Sequence, residues 1–299
     1  MNTLSIKAPA KVNLQLTITG RRDDGYHLMD SLAVFADLAD DLSLHPAPES
    51  SLEIRGPFAD AIPETRLDDN ILGKTIRAFH HATGLDGHYA IRLEKNIPVA
   101  AGIGGGSADA AGMLHLLNGL HHDPLDDQGL EAVGLTIGAD VPVCLKADGK
   151  GGDCWRMQGI GERLSRHELE LTPGLVLLND GIGESPAWGL IRLAAIRMTT
   201  DGNTLPELPS TLPVMELIDR LRYGNDLLTP ALEECPPLRE TLAAAEALAS
   251  ADGFIHASMS GSGATCFGLF EAPHEAVEAL GAITTGRHWG WAGGLYPNS

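Results

Sequence analysis

From Lys11 to Ile18 the chain alternates strictly. Val12, Leu14, Leu16 and Ile18 are apolar; Lys11, Asn13, Gln15 and Thr17 are polar. Period two predicts a strand with one face in a core, starting just after Pro9, which has no N–H to give to a ladder. Lys11 and Asn13 then point the same way, roughly 6.6 Å apart along the strand. The run from Gly20 to Gly25 reads as a polar loop, and Tyr26 and His27 follow it. A second alternation, Tyr89, Ile91 and Leu93 against Arg92 and Glu94, predicts another strand.

The period then changes. Ala110, Met113, Leu114, Leu117 and Leu120 recur at helical spacing, with Ser107 as the expected N-cap. A further helix pattern covers about 126–137, and Pro142 is expected to hold Val141 extended, leaving Asp140 at a sharp junction. The histidine pairs at 80–81 and 121–122 read as surface helix residues. A loop-like stretch at 149–153 marks a boundary, giving expected domains of 1–152 and 153–299. In the second half, the Thr- and Pro-rich segment 199–213 is expected to be a mobile or functional loop. A helix at 238–251, a strand at 254–259, the tight turn Ser260–Gly263, a strand at 264–270, a helix at 273–283 and a strand near 287–291 complete an α+β unit.

Composition narrows the partners. The formal charge of −19 over 299 residues repels nucleic-acid backbones and anionic lipid heads. No apolar run is long enough to span a membrane, and the first residues lack a secretory signal's shape, so a soluble cytoplasmic protein is expected. The four cysteines form no C-x-x-C pair and are too sparse for a disulfide scaffold, so free thiols are expected and a zinc site is not.

The chemistry concentrates in Pro98-x-x-x-Gly102-x-Gly104-Gly105-Gly106-Ser107, between a strand and a helix. Gly73-Lys74-Thr75 is no Walker A motif, because Asp68 stands where its first glycine belongs. The dinucleotide fingerprint fails too: counted from Gly102, its last glycine is Ser107. What remains is a loop whose four glycines let the backbone approach an anion, leading into the positive end of a helix. A flexible connection without a ligand is the alternative, but such a run of glycines costs conformational entropy that binding would offset.

Together, Pro9-Ala-Lys11-Val-Asn13, the loop Pro98–Ala108, Gly138-Ala-Asp140-Val-Pro142 and Ser260-Gly-Ser-Gly263 resemble the GHMP small-molecule kinases. Gly25-Tyr26-His27, Gly159-Ile-Gly-Glu162 and Asn225-Asp-Leu227 extend the resemblance from about residue 6 to residue 296. It implies an α+β fold of two domains, an N-terminal α/β nucleotide-binding domain and a C-terminal ferredoxin-like α+β domain, with the active site in the cleft between them. It also implies ATP-dependent phosphorylation of the 2-hydroxyl of 4-diphosphocytidyl-2-C-methyl-D-erythritol, on the non-mevalonate route to isoprenoid precursors.

Carried over residue by residue, Lys11 and Asp140 match the catalytic pair. Pro98, Val99, Ala100, Ala101, Gly102, Ile103, Gly104, Gly105, Gly106, Ser107 and Ala108 match the loop that wraps the ATP phosphates, while Asn70 and Lys95 resemble positions near the adenosine. Asn13, Tyr26 and His27 match residues that hold the cytidine diphosphate part, and Ser260, Gly261, Ser262 and Gly263 match the loop closing over the transferred phosphate. Phosphoryl transfer to an alcohol needs a proton acceptor and charge cover, roles that a carboxylate at Asp140 and an ammonium at Lys11 can fill. Mg²⁺ is expected with ATP, without an assigned protein ligand.

Two positions depart from the family pattern. Asn179-Asp180-Gly181 replaces Asn-Pro-Gly, and Gly189 stands where an aromatic often covers the cytosine, with Trp188 one residue earlier. The rival readings are a GHMP kinase for another small alcohol, such as mevalonate or homoserine, and a catalytically silent nucleotide-binding module. The acidic total also implies a locally basic cleft built from Lys11, Lys95 and Arg21 or Arg22. The expected partners are ATP and a small cytidine-diphosphate-linked polyol, for a chain acting as a monomer or homodimer.

Overall fold

The computed structural model describes residues 3–22, 27–147, 153–181, 205–283 and 289–296. Tyr26, Trp188 and the 199–204 part of the expected loop lie outside them. The chain forms two compact units that interleave in sequence: 1–10, 38–99 and 104–148 make the first, and 11–37, 100–103 and 149–299 the second.

In the first unit, the end of β2 (His27–Pro46) pairs antiparallel with β4 (Tyr89–Glu94), which pairs parallel with β3 (Ser51–Arg55). β1 (Leu4–Arg21) pairs with β2. The helix α1 (Ile71–Thr83) opens on Asn70, whose side chain accepts from the Leu72 N–H, and closes on Gly84 at φ +70°. α2 (Gly105–Leu120) is buried almost all round between Ala108 and Asn118. Its small residues make that depth feasible: a Cβ on Gly112 would lie only 3.2 Å from Ile6 Cγ2. α3 (Asp127–Ile137) is capped by Asp126, and the short α4 (Val141–Cys144) carries Pro142 in its first turn.

Three expectations need correction here. Ser107 is not the N-cap of α2; Gly104, three residues earlier, takes that place at φ +70°, a conformation open to glycine without penalty. Val141 is helical, not extended, because Pro142 sits in the first turn, where the missing N–H is no loss. Each histidine pair splits. His81 and His122 are exposed, whereas His80 and His121 turn inward to the buried Tyr89 hydroxyl, at 3.0 and 2.8 Å.

In the second unit, Met29–Val34 of β2 pairs antiparallel with β5 (Asp153–Gly159), and β5 with β6 (Arg163–Leu169). The chain continues through β7 (Gly174–Asn179), β8 (Thr211–Leu212), α5 (Val214–Leu221), α6 (Leu228–Glu234) and α7 (Leu238–Glu246). It ends with β9 (Phe254–Met259), β10 (Cys266–Phe270), α8 (Pro273–Ala282) and β11 (Trp289–Gly293). The described end of the expected long loop is therefore structured, since β8 pairs parallel with β6. An antiparallel sheet in the order β11-β7-β10-β9 has the wholly buried β7 inside it. Val176, Leu178, Leu242, Met259, Phe270 and Ala276 belong to its core, where each of the larger apolar side chains contributes about 1.5–3 kcal/mol on burial.

Candidate active site

Lys11 and Asn13 do share one face of β1, but that face is not open to solvent: each residue is 3% exposed. Lys11 Nζ donates to Asn13 Oδ1 at 2.8 Å, and Asn13 Nδ2 donates to Ser31 Oγ at 2.8 Å. The Lys11 backbone N–H is held by the Ile103 carbonyl at 2.9 Å, so β1 carries part of the glycine loop with it. Ser260 ties the same region from the other end of the chain. Its Oγ accepts from the Asn13 N–H at 3.1 Å and donates to the Gly102 carbonyl at 3.2 Å. Thr265 N–H donates to the Ala101 carbonyl at 3.0 Å.

This stitching needs two glycines. Gly102 sits at φ +75°, and a Cβ there would lie 2.1 Å from the Gly263 oxygen; Gly261 sits at φ +55° beside Asn13. Asn225 pins the turn, its Nδ2 donating to the Met259 and Gly261 carbonyls at 2.8 and 2.7 Å. Asp226 completes the attachment by accepting from the Ile18 N–H of β1 at 2.7 Å. Asn225 and Asp226 were visible in the sequence only as a motif; their work as pins was not.

Sequence reasoning also missed a buried charge cluster behind Ser31. Asp30 takes Arg156 at 2.6 Å, Arg220 at 2.5 Å and Gln158 at 3.1 Å. Nothing local signals it, because the two arginines stand 126 and 190 residues away. His27 opens β2 with its Nε2 buried and unpartnered among the described residues. Burial, with the Arg21 charge, holds its pKa below the usual histidine value, so the ring is neutral at pH 7.

In the first unit, the rest of the glycine loop opens α2, whose N-terminus has no side-chain cap. The first-turn N–H groups and helix dipole there suit a phosphate, and three successive glycines leave the backbone approachable. Lys95 lies beneath, with Nζ 3.2 Å from where a Cβ on Gly105 would sit. Its charge is not available to a basic cleft, which corrects that expectation: the ammonium is buried between Asp40 at 2.5 Å and Asp109 at 2.6 Å. Burial alone would lower the Lys95 pKa, but the two carboxylates outweigh it and hold it above the usual lysine value. Burial pushes Asp109 up to about 7, against the pull of Lys95 and with the repulsion of Asp40.

Asp40 also accepts from the Asn96 and Ile97 N–H groups at 2.6 and 2.9 Å, which anchors the approach to the loop. Asn70 has both ends of its amide engaged, capping α1 and donating to the Glu64 carbonyl at 2.8 Å. Asp140 is half-buried at the start of α4 and makes no side-chain cap bond to that helix.

Residues 70–147 match the family model for the GHMP kinase N-terminal domain, and residues 213–286 the model for the GHMP kinase C-terminal domain. A 4-diphosphocytidyl-2-C-methyl-D-erythritol kinase of Gluconacetobacter diazotrophicus is 40% identical over 98% of this chain and 95% of its own length. One of Cereibacter sphaeroides is 43% identical, over 95% of both chains. A crystal structure of 4-(cytidine 5'-diphospho)-2C-methyl-D-erythritol kinase superposes with a TM-score of 0.72 at 34% identity, over 98% of this chain and 99% of that one. A homoserine kinase from Cytophaga hutchinsonii, 16% identical with a TM-score of 0.63, shares the fold. With its two-domain α+β fold and full-length likeness to these relatives, the chain belongs to the GHMP kinases and, among them, to the 4-diphosphocytidyl-2-C-methyl-D-erythritol kinase family.

Proposed function

We propose that the chain transfers the γ-phosphoryl group of ATP to the 2-hydroxyl of 4-diphosphocytidyl-2-C-methyl-D-erythritol, giving the 2-phosphate and ADP. The observation that carries this reading is the buried Lys11–Asn13 pair, stitched by Ser260 to the Gly102 backbone, in a chain whose relatives of that name match nearly its whole length.

Asp140 accepts the hydroxyl proton as the oxygen attacks phosphorus, and Lys11 covers the charge that develops on the attacking and phosphoryl oxygens. The backbone of 98–108 wraps the nucleotide phosphates, with the N–H groups of Gly105, Gly106 and Ser107 at the α2 N-terminus facing them. Asn70 and Lys95 belong to the adenosine end, where their side chains brace the frame instead of reaching out. Ser260–Gly263 closes over the transferred group. Asn13, Tyr26 and His27 hold the cytidine diphosphate part; the His27 Nε2, without a partner among the described residues, suits the edge of a cytosine. Residues 1–152 form the ATP-binding domain and 153–299 the substrate domain in family terms.

Mg²⁺ would accompany the ATP, held chiefly by phosphate oxygens and water. When bound, that ion neutralises charge on the β- and γ-phosphates. No described helix is long and apolar enough to cross a membrane, and all four cysteines are buried thiols. We place the enzyme in the cytoplasm.

The test is ADP release with Mg-ATP and a panel of acceptors: the diphosphocytidyl-methylerythritol, mevalonate, homoserine and none. Turnover on the first alone, lowered by about 10²–10⁴ in Asp140→Asn without loss of fold, is the expected result. Turnover on a different alcohol would overturn the substrate assignment, and ATP binding without turnover would overturn the kinase.

A further inference from the structure

We infer that Ser31 is a positioning residue for the transfer, its hydroxyl dictating which end of the Asn13 amide faces the Lys11 ammonium. The inference rests on the role proposed above for Lys11. It follows from the direction of each hydrogen bond. The Gln15 carbonyl, 2.6 Å from Ser31 Oγ, can only accept, so the single Ser31 proton is committed to it. What Ser31 offers Asn13 at 2.8 Å is therefore a lone pair, and the end of Asn13 facing it must be the NH₂ group. The Asn13 oxygen is left for Lys11 Nζ at 2.8 Å, which carries donors only. Turning the amide over would set donor against donor at Lys11 and oxygen against oxygen at Ser31.

Every part of this chain is held in place. Ser31 is fully buried, so no solvent competes for its hydroxyl. The Asn13 backbone is fixed by Ser260, and Gln15 Nε2 donates to the Asp30 carbonyl at 3.2 Å. The Asp30 carboxylate, clamped by Arg156, Arg220 and Gln158, anchors β2 one residue before Ser31. Ser31 acts through Asn13 on where the ammonium sits and not on the substrate itself.

The experiment is steady-state kinetics with Mg-ATP and the diphosphocytidyl-methylerythritol on wild type, Ser31→Ala, Asn13→Ala and the double variant, with thermal melts alongside. Ser31→Ala should lower kcat by about ten- to a hundredfold while KM for ATP stays within about twofold, the pattern of a misplaced reacting group. In the Asn13→Ala background the same change should cost less than about twofold, since its effect runs through Asn13. Ser31→Thr and Ser31→Val, equal in shape, carry the comparison should Ser31→Ala fail to fold: Thr should run at least about tenfold faster than Val. Unchanged kcat in Ser31→Ala, an equal loss in both backgrounds, or equal rates for Thr and Val would overturn the inference. Wild-type enzyme inactive on this substrate would instead overturn the functional reading, and this inference with it.

Discussion

Lys95 and Asp109 form an ion pair of 2.6 Å at the first turns of the helix that opens on the glycine loop, both almost completely buried. Asp40 shares the same ammonium at 2.5 Å, so two carboxylates compete for one positive charge in a dry site. A strand-end lysine that reads in the sequence as part of a basic cleft is buried as the rivet between β2, β4 and α2.

That rivet makes stability depend on pH. The folded-state pKa of Asp109, about 7, lies above its ordinary value near 4, so the fold binds this proton more tightly than the unfolded chain does. Its contribution is fully present below the unfolded pKa and is lost as pH rises through about 7. Asp109→Asn, which cannot ionise but still accepts from Lys95, should therefore flatten the fall in melting temperature between pH 5 and pH 8. A thermal melt series on both proteins reads this directly; parallel slopes would contradict it.

Gly102→Ala should nearly abolish turnover. The new Cβ would meet the Gly263 oxygen at 2.1 Å, and φ +75° disfavours any side chain. Backbone must move at the point where β1, the glycine loop and the Ser260 turn are joined, so kcat should fall at least about a hundredfold. Kinetics together with a circular dichroism melt would show activity lost while most of the fold survives.

Asn225→Ala removes two hydrogen bonds to the carbonyls flanking Ser260 and a third from the Leu227 N–H. At about 0.5–1.5 kcal/mol for each bond, stability should drop by about 1.5–4.5 kcal/mol, measurable by urea unfolding. Losing order in the turn should also raise the substrate KM, whereas a variant of wild-type KM would show that the turn holds itself.

Tyr89→Phe should destabilise without touching catalysis. His80 and His121 both meet the Tyr89 hydroxyl, and deleting it leaves two ring nitrogens without that partner. The cost is about 1–3 kcal/mol, a fall of several degrees in melting temperature, with kcat essentially unchanged.

Much of the candidate site was legible because its signals are local. Alternation placed Lys11 and Asn13 on one side of β1, since side chains in a strand repeat every second residue. The glycine run announced an approachable backbone at a helix start, yet it also hid where the helix begins: glycines carry no capping side chain, and only the left-handed Gly104 marks the spot. Lys95 misled for a different reason. Its charge was visible in the sequence, but the neutralising Asp40 stands 55 residues earlier, on a strand whose pairing no nearby residue reveals.

The sequence by itself determined the alternating strands that carry Lys11 and lead to the glycine loop, the loop itself, the family and the identities of the chemical groups, because periodicity and motif spacing are properties of near neighbours. Only the tertiary structure decided what those groups touch. Asn13 meets Ser260 across 247 residues, and Asp30 meets Arg220 across 190. A buried polar group must find a partner or bear the cost of desolvation, and which partner it finds depends on how strands and turns distant in the chain pack together. The same packing gathers residues 11–37 into one compact unit with 149–299, segments far apart in the chain.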